Sequence, residues 1–372
     1  MLLEYDFKKF NFRLLLYTIA LNIIGILVIR SATNQDMARV GKQIAGVIVG
    51  LALAAGLSLI PYQKITSFSI SIYLGCTALL IAVLFIGRKV NGATRWIYLP
   101  VVGQVQPSEF AKIGLIIFSA WYLGKYSERV DELKTLLVAA ALFGFPILLV
   151  LAEPNLSTSL VIIFTLICMI FIAGISFKWI GGTLAVLIPC SGLFIYLLKI
   201  GMIPFLQDYQ ARRILAWVDR ANYADANYQQ DNSIMAIGSG MLKGKGLNNN
   251  TLASVKNGNF LSEEQTDFIF AVVGEELGFI GCVIVIVLFA AIVFECLWMA
   301  EQAKDMTGRL LCTGMAALLA FQTFSNIAVA TGIFPNTGLP LPFVSYGVSS
   351  LISMYLGIGI VLNVALQRKN KH

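Results

Sequence analysis

Histidine is nearly missing from this chain: the single one, His372, is the last residue. Ser-His-Asp, Cys-His and histidine–metal chemistry are therefore excluded, and any catalysis must use carboxylates, lysine, arginine, hydroxyls or an oxygen-bound cation. Charge is also scarce. Charged residues make up 13% of the 372, against about 25% in a soluble protein. No CxxC spacing occurs among the six cysteines, which lie in or beside apolar runs and read as small core residues, not disulfides or metal ligands. Basic helices and aromatic-interleaved basic patches are lacking too. The net charge of +7 is thus assigned to topology and anionic lipid headgroups, not to nucleic acid.

What is present is apolar sequence. Hydrophobic residues form 58% of the chain and the mean hydropathy is +0.80. This predicts an all-α integral membrane protein, a single polytopic domain over 1–372 with ten transmembrane helices. The spans are expected near 13–30, 43–60, 65–87, 108–124, 134–152, 156–175, 179–200, 266–298, 308–332 and 344–367. The first lacks an A-x-A cleavage pattern and reads as a span, not a removed signal. An even count puts both termini on one side. With that side inside, the short loops hold thirteen lysines and arginines inside against six outside, so both termini are expected in the cytoplasm.

Three unusual loops then face outward. Residues 88–107 carry Arg95, Trp96 and Tyr98, and residues 201–265 form a large extracytoplasmic loop between spans seven and eight. Residues 333–343 are uncharged and dense in proline. A Pro-rich apolar loop at membrane level must pack on protein or line a wet cavity. Function is expected on this face.

Within it, SEEQTDFIFAVVGEELGFIG opens at Ser262, which with Gln265 forms a capping-box pattern. A helix is predicted from there into the eighteen-residue apolar run Leu277–Phe294. Asp267 on that helix is either a solvated acid at a helix start or a working carboxylate. Glu275 and Glu276 either line a cavity or pack helices. Glu109 and Lys112, at i and i+3 of span four, are either a buried ion pair or a cavity wall whose lysine meets an anion. Arg212, Arg213 and Arg220 suit phosphate, though interface arginines also snorkel to headgroups. Lys243 and Lys245 lie in a Gly-rich stretch that is not a nucleotide P-loop but has the makings of a diphosphate nest. Glu153 and Asn155 read as the corner before span six, with Asn155 its N-cap.

Eight stretches taken together resemble the shape, elongation, division and sporulation family, whose members include RodA and FtsW. They are NGATRWI (91–97), QPSEFAK (106–112), EPNLSTSL (153–160), YQARRI (209–214), NYQQDNSIMAIGSG (227–240), KGKGL (243–247), TDFIFAVVGEELGFIG (266–281) and TGLPLPFVSYGVSS (337–350). The length and compact termini are nearer RodA. Departures from the usual pattern occur at Asn155, Ser262, Gln265 and Val348.

The resemblance implies a bacterial cytoplasmic-membrane glycosyltransferase that polymerises lipid II on the outer face, beside a class B penicillin-binding protein that crosslinks the strand. It puts the family's essential aspartate on Asp267, as general base. The polar members of the matching motifs become substrate-binding candidates: Arg95, Glu109, Lys112, Arg213, Gln229, Ser239, Lys245 and Ser345. No metal ligands are assigned, although a divalent cation (Mg or Mn) at the diphosphate is compatible with such chemistry. The rival readings are a lipid II flippase and a non-catalytic scaffold for the penicillin-binding protein.

Overall fold

The structure, a computed structural model, describes residues 9–90, 93–99, 103–200, 202, 208–220, 222–248, 254 and 264–368. It is predominantly helical. In order come α1 (Phe12–Ala32), α2 (Met37–Ser58), α3 (Tyr62–Ser67), α4 (Ser69–Ile86), β1 (Arg88–Val90), β2 (Ala93–Leu99), β3 (Gly103–Val105), α5 (Pro107–Lys125), α6 (Leu133–Ala152) and α7 (Leu156–Ile172). There follow α8 (Phe177–Lys199), α9 (Asp208–Val218), α10 (Ala224–Ser239), α11 (Ile269–Gln302), α12 (Met306–Ala330) and α13 (Val348–Leu366).

The ten expected spans all fall on helical segments. Among the described residues seven helices (α1, α2, α4, α6, α11, α12 and α13) are long and apolar enough to cross a bilayer by length and composition. The central pair, α12 and α13, is enclosed by other helices, whereas α2, α4 and α6 turn apolar faces such as Ile48, Phe85 and Leu148 outward. Outward apolar faces are what a lipid solvent requires.

Four expectations need correction. The outer loop 88–107 is not irregular: β1, β2 and β3 form an antiparallel meander, with Ile97 opposite Val105 and Arg88 opposite Trp96. Span three is divided, α3 ending at Phe68, where the backbone leaves helical geometry before α4. The long segment after span seven is not simply a loop, since it carries α9 and α10. And α11 is not continuous, because Gly278 takes φ 68° and ψ −165° inside it.

That break frees backbone groups which lipid cannot satisfy. The turn after α10 takes them up. The amides of Phe279 and Ile280 donate to the carbonyls of Met241 (2.8 Å) and Leu242 (3.2 Å). In return the amides of Lys245 and Gly246 donate to the carbonyls of Glu275 (2.9 Å) and Glu276 (3.0 Å). A side chain at Gly244, where φ is +77°, would collide with the Glu276 carbonyl.

The first and last described residues meet at the far end of α11. Lys9 donates to the Arg368 carbonyl at 3.1 Å, and the guanidiniums of Arg13 and Arg368 both lie on the Trp298 ring. Asn11 donates to the buried carboxylate of Glu295 at 2.8 Å. Past the break at Gly278, residues 279–302 of α11 span roughly 36 Å at 1.5 Å each, which sets Lys9 and Arg368 far from Asp267.

Gly244→Ala combines a left-handed backbone with a steric clash and is expected to destabilise by about 2–3 kcal/mol or more. Gly246→Ala, at φ +90° with open space around it, is expected to cost about 1 kcal/mol. Thermal unfolding in detergent measures both.

Candidate active site

Asp267 is partly exposed and lies in a turn over 264–268, not on a helix. The helix expected to run on from Ser262 is not found across 264–268: α11 begins at Ile269 after Phe268, and the capping box itself falls on Ser262, which lies outside the described residues. The reason is hydrogen bonding. An α-helix through this stretch would give the carbonyls of residues 265–267 to the amides of 269–271. Instead all three pair with distant partners. Gln265 accepts from the Tyr346 amide at 2.9 Å, Thr266 from the Ser345 hydroxyl at 2.5 Å, and Asp267 from the Asn326 side-chain amide at 2.8 Å.

Two of these partners directly follow the Pro-rich loop, which rests on protein, one of the two alternatives its composition left open. Ser345 also accepts from the Leu341 amide at 2.7 Å. Asn326 Nδ2 donates a second time, to the Leu339 carbonyl at 2.7 Å, and Gln322 donates to the Pro340 carbonyl at 3.0 Å. From α7, Ser157 donates to the Thr337 carbonyl at 2.5 Å. Gln43 on α2 both donates to the Ser345 carbonyl and accepts from the Gly347 amide, each at 3.2 Å. On the other side Gln230 of α10 donates to the carbonyls of Val329 (2.8 Å) and Phe334 (2.7 Å). The loop thereby presses Gly338 on the acid: at φ +69°, a Cβ there would stand 3.1 Å from Asp267 Oδ2.

Glu109 and Lys112 are an ion pair at 2.8 Å, with side chains 3% and 1% exposed. Lys112 also donates to Gln322 Oε1 at 2.8 Å. The ammonium is thus walled off, and its second partner is the very side chain that holds Pro340. Of the two readings open for this pair, the ion pair that fixes packing is the one the geometry favours.

Among the described residues the other candidates hold partners of their own. Arg95 on β2 donates to the backbone carbonyls of Glu153 (3.2 Å) and Pro154, stapling the meander to the corner between α6 and α7. In that corner Asn155 caps α7 as expected, accepting from the Thr158 amide, while neither carboxyl oxygen of Glu153 meets a hydrogen-bond partner. Burial pushes the Glu153 carboxyl up to about 8, against the opposing pull of Arg95. Lys245 pairs with Glu275 Oε1 at 2.8 Å. The diphosphate-nest reading of its loop is not supported, because the amides of Lys245 and Gly246 are consumed at the α11 break. Arg213 is partly exposed on α9, and Arg220 forms an exposed pair with Asp231 at 2.6 Å. Gln229 accepts from Asn336 at 3.4 Å; Ser239 donates only locally, to Ala236. Among the described residues no three of His, Cys, Asp and Glu gather as a metal site.

Sequence reasoning passed over the amides Gln43, Gln230, Gln322 and Asn326. Their signal was present: a buried polar side chain inside an apolar helix demands a partner.

Comparison with known proteins decides the family. A model described as a cell cycle protein, covering FtsW, RodA and SpoVE, matches residues 12–370. The chain belongs to this family. Among its FtsW/RodA/SpoVE relatives is the peptidoglycan glycosyltransferase MrdB of Escherichia coli K12, 35% identical over 360 residues, covering 96% of this chain and 93% of that one. A probable FtsW of Geobacter metallireducens is 34% identical over 379 residues, covering 98% and 96%. Of solved structures, RodA of Thermus thermophilus superposes with a TM-score of 0.70 at 26% identity, covering 99% of both chains. A chain of a peptidoglycan synthase complex coordinating polymerization and crosslinking reaches 0.77 at 28% identity, covering 99% of this chain and 100% of that one.

Two predictions follow the buried charges. Lys112→Ala leaves Glu109 uncompensated and is expected to cost about 3–5 kcal/mol; Glu109→Gln with Lys112→Met is expected to recover part of it in thermal unfolding. For Glu153, the unfolded chain loses its proton near 4.5 and the folded protein near 8. Across that window the folded state holds an extra proton, so stability falls as pH rises from about 4.5 to about 8 and is level above it. Glu153→Gln cannot ionise and should flatten that slope in unfolding temperature measured against pH.

Proposed function

We propose that this chain is a peptidoglycan glycosyltransferase that polymerises lipid II at the outer face of the bacterial cytoplasmic membrane. Its named relatives catalyse that class of reaction, and the likeness extends along essentially the whole chain. The observation that carries the site is Asp267: a partly exposed carboxylate whose backbone is tied into the loop that lies against it. In this reading the ten helices on which the expected spans fall (α1, α2, α4 to α8 and α11 to α13) cross the bilayer and both termini are cytoplasmic. The contact of Lys9 with Arg368 at the end of α11 remote from Asp267 supports it, as does the excess of positive charge in the short loops expected on that side.

Asp267 acts as general base. It takes the proton from the acceptor sugar 4-hydroxyl as that oxygen bonds to the anomeric carbon of the donor. The carbon–oxygen bond to the polyprenyl diphosphate breaks, and the diphosphate leaves with the electron pair. One displacement inverts the centre, turning an α-linked diphosphate into a β-linked glycan, and one base suffices because the leaving group is good once its charge is met. Arg213, partly exposed on α9, is assigned to that charge. Arg95 and Lys245 reach it only by releasing the partners they hold here, and Gln229, Ser239 and Ser345 shape the surrounding backbone. Lys112 acts on the loop, not on the diphosphate. A divalent cation, Mg or Mn, would have to be held largely by the diphosphate oxygens, since no cluster of protein ligands awaits it among the described residues; no step is routed through it. The proposed partner is a class B penicillin-binding protein, in keeping with the synthase complex that contains a similar chain.

The test uses the protein purified with its partner, supplied with labelled lipid II in detergent. Asp267→Asn is expected to lower polymer formation at least about 100-fold, the scale of a lost general base. Undiminished polymer in the variant removes Asp267 from the mechanism. No polymer from either protein, with headgroup translocation in liposomes, points to a flippase, and neither activity points to a scaffold.

A further inference from the structure

We propose that Asn326, buried in α12, is a positioning residue for the Asp267 base. The inference rests on the reading of Asp267 given above and deepens it.

A side-chain amide nitrogen carries two hydrogens, and Asn326 spends both on backbone. One goes to the Asp267 carbonyl at 2.8 Å, the other to the Leu339 carbonyl at 2.7 Å. No other side chain among the described residues is shown bonding both to Asp267 and to the loop that covers it. Asn326 is 1% exposed, so it reaches no substrate and acts only through what it holds. What it holds is the peptide group of Asp267, from which the carboxylate is launched, and the residue after Gly338, whose open side faces Oδ2 of that carboxylate.

One turn earlier, Gln322 fixes the next carbonyl of the same loop, that of Pro340, at 3.0 Å, and is itself oriented by Lys112 at 2.8 Å. The row Glu109–Lys112–Gln322 therefore sets the loop, and Asn326 couples that setting to the base. Loss of the Asn326 amide leaves the neighbouring ties intact, because Ser345 still bonds Thr266 and Tyr346 still bonds Gln265. The two segments stay joined while the carboxylate loses its aim. A displacement of about 1 Å at a reacting group costs on the order of 100-fold in rate.

The experiment compares wild type, Asn326→Ala, Gly338→Ala and Asp267→Asn, each purified with the penicillin-binding partner and given labelled lipid II. Turnover, the half-saturating lipid II concentration, the pH profile of turnover and the unfolding temperature are measured. Asn326→Ala is expected to lower turnover about tenfold to 100-fold, with half-saturation within about twofold of wild type and the acid limb of the pH profile displaced. Gly338→Ala, which puts a methyl group against the carboxylate without touching Asn326, should give the same signature. If Asn326→Ala does not assemble with the partner, Asn326→Ser, which keeps a single donor, takes its place. Turnover and pH profile like wild type in the Asn326 variant, with Asp267→Asn inactive, overturn the positioning role alone. So does a loss of turnover matched by a fall in unfolding temperature with no movement of the pH profile. Normal polymerisation by Asp267→Asn instead overturns the underlying assignment of the base.

Discussion

Three consecutive backbone carbonyls, those of Gln265, Thr266 and Asp267, are paired with groups from α12 and from the loop before α13. Much of the outer face depends on this exchange. Were the carbonyls used within a helix, α11 would begin earlier and Asp267 would be a solvated acid in a first turn. Because they are used outside it, the aspartate is set in a turn, the helix waits until Ile269, and a proline-rich loop without regular structure can exist next to apolar helices. Each partner satisfies a backbone group the other could not satisfy alone. At the depth of a membrane such an arrangement forms as a unit or not at all.

The same constraint explains features far apart in the chain. The interruption of α11 at Gly278 is answered by the turn at 241–246, so that turn is part of the helix bundle. The buried amides Gln43, Gln230, Gln322 and Asn326 all donate to backbone carbonyls of the outer loop or its approaches. Lys112 and Glu109, charges that would be costly in lipid, are neutralised by each other and by Gln322. Polar chemistry inside this bundle is directed largely at holding irregular backbone. Glu153 stands apart, fully buried with both oxygens unsatisfied, and its raised proton affinity is the physical reply to that burial.

Function follows from what remains accessible. Of the acids near this turn, Glu275 is paired with Lys245 and Glu276 accepts from Ser31, while Asp267 is partly exposed. The relatives named above are peptidoglycan glycosyltransferases, and under the function proposed for this chain Asp267 is the base. In that proposal the cations on α9, β2 and the 241–246 turn meet the diphosphate, and Arg95 and Lys245 hold protein partners in this conformation.

Read alone, the sequence determined the class of molecule and the positions of its long helices, because hydropathy over some twenty residues is a local property that a bilayer enforces. It also singled out Asp267, through the motif around it and the lack of histidine, and it identified Asn155 as a cap from three neighbouring residues. The tertiary structure alone decided what is long-range. Whether Gln265 lay on a helix or in a turn involved Tyr346, some eighty residues away, and the partner of Lys112 beyond Glu109 came from α12. The break at Gly278 and the meander at 88–105 were hidden for a related reason: one depends on a turn donated by another segment, the other on pairing between short strands whose composition resembles any interfacial loop. Hydrogen bonds of that kind leave little trace in local patterning, and in this protein they hold the turn that carries Asp267.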